Sequence, residues 1–158
     1  MNHDFVELLA GFNAKAVEYM VVGAHALAAH GHVRATKDLD IWIHPSRENA
    51  VRVLAALSEF GAPLHDLSLA DLAVPGVVFQ IGVAPVRIDV ITSIDGVVFS
   101  DAWPDRVISR FGGESVPVLS RAHLIVNKKS SGRLQDLADV ERLENSEPHP
   151  GHGSGSPD

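Results

Sequence analysis

The chain has no cysteine, so a disulfide framework and a thiolate zinc site are both excluded. No apolar run is long enough to span a bilayer, and the first residues, MNHDFVELLAGFN, are acidic where a signal peptide would be basic and then apolar. Basic residues are also scarce. Thirteen Lys and Arg against 20 Asp and Glu give a net charge of −7, which opposes general affinity for nucleic acid while leaving room for a local basic groove. These absences point to a soluble, cytoplasmic, globular chain. Its 158 residues, 46% hydrophobic, suffice to bury a core without staples. One domain over 1–144 is expected, followed by a disordered tail over 145–158, where NSEPHPGHGSGSPD has no apolar residue to bury.

The most informative stretch is YMVVGAHALAAHGHVRATKDLDIWI, residues 19 to 43. It reads as an apolar strand from Val17 to Val22, a small-residue turn at Gly23-Ala24, a helix from His25 to His30, a basic loop and a second strand. Alternate side chains of a strand share a face, so Asp38 and Asp40 point to one side and Leu39, Ile41 and Ile43 to the other. Two carboxylates that close repel each other unless a proton or cation intervenes, and an oxygen-only cluster suits a hard divalent ion such as Mg²⁺. A solvated strand face is the competing reading. The Gly23-Ala24 turn lets a ligand approach the main chain at a helix start, where free N–H groups bind phosphate. His25 lies beside that turn. Arg34 and Thr36 precede the acids, and the planar fork of Arg34 suits a triphosphate.

Here the sequence resembles the nucleotidyltransferase superfamily typified by DNA polymerase β. It is similar above all to the small bacterial branch that includes abortive-infection-type toxins of toxin–antitoxin pairs. The resemblance implies an α/β (α+β) fold, a minimal nucleotidyltransferase palm with a mixed β-sheet flanked by helices. It implies a third carboxylate on a later strand, placed at Asp89 in VRIDVITS, so that Asp38, Asp40 and Asp89 hold two Mg²⁺ (or Mn²⁺) ions. It also implies a C-terminal pattern of a lysine, a small-residue break, then Arg, Asp and Asp on a helix. Lys128, Ser131-Gly132, Arg133, Asp136 and Asp139 match it, with Lys129 as the second candidate lysine. Lys128 is assigned to the triphosphate, while Arg133 and Asp136 support the pocket. One departure is Ala24, where the family has Gly or Ser.

The implied reaction moves a nucleoside monophosphate from an NTP to an acceptor hydroxyl on RNA or tRNA, a protein or a small molecule. A cognate antitoxin is an implied partner. The alternative is a non-catalytic nucleotide-binding or protein-interaction module on the same fold.

The rest reads as scaffold. Asp4 to Phe12 has helical spacing with Asp4 as the cap, and Ser46 caps a helix from Arg47 to Phe60 ended by Gly61. Along that helix Val51, Leu54, Ala55, Leu57 and Ser58 form the expected inward stripe. VVFQIG and VRIDVITS form an antiparallel hairpin, and a second pair of strands meets across Gly112-Gly113. In VRIDVITS, Arg87 and Asp89 share a face, but neighbours two apart look poorly placed for an ion pair. Ser120 caps a helix, and a closing helix from Leu134 to Leu143 packs Leu137, Val140 and Leu143 inward.

Overall fold

Strand and helix signals resolve into six strands and seven helices in the computed structural model, which describes residues 2–82 and 86–146. The order is α1 (His3–Ala14), β1 (Tyr19–Val22), α2 (Gly23–Ala29), β2 (Asp38–Ile43), α3 (Arg47–Phe60) and α4 (Leu69–Leu72). Then follow β3 (Val78–Ile81), β4 (Arg87–Ile91), α5 (Phe99–Ala102), β5 (Val107–Phe111), β6 (Glu114–Val118), α6 (Arg121–Ser131) and α7 (Leu134–Asn145). The strands form one mixed sheet in the order β3-β4-β2-β1-β6-β5. Both expected hairpins are present: β3 pairs antiparallel with β4, and β5 with β6. The centre is different, because β1 runs antiparallel to β2 while β2 and β4 run parallel. That parallel pair sets the site, since its register places Asp40 beside Asp89 and Asp38 beside Arg87.

The opposite face of β2 supplies the core. Leu39, Ile41 and Ile43 are fully buried, with Phe5, Leu8, Leu9 and Phe12 of α1 in the same cluster. Each such side chain contributes about 1.5–3 kcal/mol relative to exposure. The cap of α1 is Asn2, not Asp4: its side chain accepts from the Asp4 and Phe5 N–H groups. Ser46 and Ser120 cap α3 and α6, and Gly61 ends α3 in the left-handed conformation.

Two helices are rotated relative to the expected stripes. On α3 the buried residues are Asn49, Ala50, Val53, Ala56 and Leu57, and Val51 is exposed. Asn49 is the cause: it accepts from the Glu18 N–H at 2.8 Å and donates to the Glu18 and His44 carbonyls at 2.9 Å, which draws it inward. On α7 the buried face is Asp136, Asp139, Val140 and Leu143, and Leu137 is exposed. Two acids replace apolar residues on that face because cations wait for them. The helix also takes in Asn145, and the expected tail from 147 onward lies outside the described residues, as does the 83–85 connection.

Candidate active site

A pocket of about 430 Å³ opens between the β1–α2 turn, the start of β2 and the α6–α7 pair. Gly23, Ala24, Arg34, Thr36, Asp38, Asp40, Lys128, Arg133 and Asp136 all line it. Residues from four separate stretches of sequence thus converge on one space. Asp89 joins through Asp40, its cross-strand neighbour on the parallel ladder.

The acidic wall is tightly made. Val22, the last residue of β1, pairs with Asp40, and the chain turns at once through Gly23 with φ of 70°. A Cβ on Gly23 would collide with the Asp40 carboxylate, so glycine serves both the backbone conformation and the approach. Burial, with the adjacent charges of Asp89 and Asp38, pushes the Asp40 carboxyl up to about 6, although Arg87 pulls the other way. Three carboxylates therefore crowd one face with too little positive charge to balance them.

Arg87 is the residue that sequence reasoning misjudged. Its Nε donates to Asp89 Oδ1 at 3.0 Å, and its Nη2 donates to Asp89 Oδ2 at 3.3 Å and to Asp38 Oδ2 at 3.2 Å. Spacing two apart on one strand is workable because the long guanidinium stem bends back along the same face. The link to Asp38 comes from strand register, which no local pattern reveals. With Arg87 in place, the ligand oxygens of the three aspartates do not all fall within 4.8 Å of one another. Among the described residues only the exposed His3, Asp4 and Glu7 do so.

The basic wall is saturated. Lys128 is buried, with Nζ 2.9 Å from Asp139 and 3.6 Å from Asp136. Arg34 Nη1 donates to both oxygens of Asp139 at 2.9 and 3.0 Å. Arg133 Nε donates to Asp136 at 2.7 Å. Burial pushes the Asp136 carboxyl up, but the hydrogen bonds and charge of Arg133, with Lys128, outweigh it and hold it below its ordinary value. Asp139 ties α7 to α6 and to the loop before β2. The sequence pattern singled it out, yet its two-cation role depends on tertiary contact.

Two expected supporting residues lie elsewhere. His25 faces away from the pocket, with its ring 5.7 Å from Phe5 and 5.9 Å from Phe111, and burial lowers its pKa. The turn of α2 carries it round the helix from Ala24. Lys129 is about 100° round α6 from Lys128 and pairs with exposed Glu144 at 2.9 Å.

No protein-family model matches the sequence, and no curated protein matches it. Solved structures do match its fold. The lincomycin-bound lincosamide antibiotic adenylyltransferase LnuA aligns with a TM-score of 0.59 at 13% identity, covering 92% of this chain and 97% of that one. The antibiotic-resistance factor ANT(2'')-Ia aligns with a TM-score of 0.59 at 14% identity, covering 89% of this chain and 80% of that one. Its complex with adenylyl-2''-tobramycin gives a TM-score of 0.56 at 15% identity, covering 88% and 84%. This chain, a mixed six-stranded sheet with helices around it, thus shares its fold with solved adenylyltransferases.

Proposed function

We propose that this protein is a nucleotidyltransferase that moves a nucleoside monophosphate from an NTP to a hydroxyl of a small molecule. The observation that carries the reading is the register of β2 and β4, which puts Asp38, Asp40 and Asp89 on one face beside the Gly23 turn. The residues suit a hard divalent ion: the donors are oxygen only, and burial beside the charges of Asp89 and Asp38 raises Asp40 to about 6. A bound Mg²⁺ or Mn²⁺ pair would neutralise triphosphate charge and acidify the acceptor hydroxyl.

Asp38, Asp40 and Asp89 would hold the ions, and Asp89 would also take the acceptor proton. The acceptor oxygen attacks the α-phosphorus, the bond to the bridging oxygen breaks, and pyrophosphate leaves. No enzyme-bound intermediate is needed, because in-line transfer is catalysed by positioning and charge neutralisation. The Gly23-Ala24 main chain, Lys128, Arg34, Arg133 and Thr36 line the pocket where the phosphates would lie. Three bases against Asp136 and Asp139 leave that wall with one surplus positive charge. The small-molecule acceptor is favoured over RNA, a protein or an antitoxin-controlled target because similar folds occur in enzymes whose names carry antibiotic substrates.

The test is incubation with each labelled NTP, Mg²⁺ and a panel of aminoglycosides, lincosamides and RNA. Label on a small molecule with equimolar pyrophosphate is the expected result. It should fall by about a thousandfold or more in Asp38→Ala, Asp40→Ala and Asp89→Ala. Nucleotide binding with no pyrophosphate release from any acceptor would instead mean a binding module. Label on RNA would overturn the choice of acceptor but not the chemistry.

A further inference from the structure

The acidic wall carries its own cation. One guanidinium spans two strands, touching Asp89 through two nitrogens and Asp38 through one, while none of its hydrogen bonds goes to Asp40. Parallel register makes this possible, because Arg87 lies opposite Asp38 and Asp89 lies opposite Asp40. In this arrangement the three carboxylates do not offer oxygens that all lie within 4.8 Å of one another. We propose that Arg87 is a resident counter-cation, and that Asp38 and Asp89 accept a divalent ion only as Arg87 lets go. The proposal rests on the metal-dependent reading of the site and adds a control of loading to it.

Exposure supports exchange over simple addition. The Asp89 side chain is 12% exposed and needs a positive partner, whereas the Arg87 side chain is 32% exposed and can be rehydrated on leaving. Release of Arg87 is therefore tolerable only when another cation takes its place. The device keeps the carboxylates paired and the fold intact before loading, and it lowers the affinity for free metal ions. Asp40, free of the guanidinium, is the first ligand available to an arriving ion.

The wild-type protein is tested first, by nuclear magnetic resonance of the Arg87 Nε–H during Mg²⁺ titration. Its signal should begin protected from exchange with water and move to the position and exchange rate of a solvated arginine at saturation. Mn²⁺ binding is then compared by calorimetry in wild type, Arg87→Lys and Arg87→Gln, with melting curves confirming folding. Binding about tenfold tighter in Arg87→Gln, and intermediate in Arg87→Lys, is expected. An Arg87 signal unmoved at saturation, or Arg87→Gln affinity equal to or weaker than wild type, overturns the exchange while leaving the metal site standing. Failure of wild type and Arg87→Gln alike to bind Mn²⁺ overturns the metal reading and the exchange together.

Discussion

Two charged walls face each other across one pocket, and they are balanced differently. The β-sheet wall has three carboxylates and one guanidinium. The helical wall has three bases and two carboxylates, and every one of these groups is paired. On the first, burial and the neighbouring acids raise Asp40 despite Arg87. The second is a completed network that locks α6 to α7. Under-neutralised groups held by rigid strands mark where a ligand's charge is wanted, while a satisfied buried network mainly specifies structure.

The sharpest break in this comparison is predicted for Asp139. Asp139→Ala leaves Lys128 buried with a single, longer contact and frees Arg34. It should cost about 3–5 kcal/mol and lower the melting temperature by roughly 10 °C in a calorimetric scan. Asp38→Ala on the other wall should cost far less stability, because its carboxylate is more open to water.

Gly23→Ala comes next. It forces a side chain into positive φ and against the Asp40 carboxylate. A loss of roughly 2 kcal/mol in urea unfolding is expected, together with a larger loss of transfer activity, because Asp40 must move.

Asp40→Asn should go the other way. The folded-state pKa of about 6 lies above the unfolded value, so folding favours the protonated form. The penalty is absent below the unfolded pKa of about 4, grows as pH rises through about 6, and is full above it. The asparagine variant should therefore be more stable than wild type at pH 8 without divalent ions, by about 1–2 kcal/mol after allowance for partial solvent screening. It should match wild type near pH 4 and be inactive in transfer. Paired denaturation curves at the two pH values measure this.

The smallest effect is predicted for Lys129→Ala. Its pair with Glu144 joins two half-exposed side chains, so stability should change by less than about 0.5 kcal/mol and the KM for NTP should not move. A larger shift would mean that the basic wall extends further round α6.

Much of the scaffold was legible in the sequence because its signals are local. Ser46 and Ser120 at helix starts, Gly61 at a helix end, and alternation in VRIDVITS each depend on a few neighbouring residues. The grouping of Asp38 and Asp40 on one face followed from strand periodicity alone. What escaped needed tertiary information. Arg87 reaches Asp38 through parallel register, and Asn49 and Asp139 face inward because Glu18 and Arg34, far along the chain, satisfy them. A search for apolar stripes assigns such residues to solvent. That is why Val51 and Leu137 were expected inside and stand outside. His25 illustrates the same limit: closeness along the chain to Gly23 did not put its ring in the pocket.

The two walls also differ in when they are made. The charged residues of the sheet wall all lie before residue 90, whereas its helical counterpart needs residues 128 to 139. Synthesis from the N-terminus therefore delivers the aspartates and Arg87 before the residues that face them. The pocket between the walls therefore exists only when the last two helices are in place.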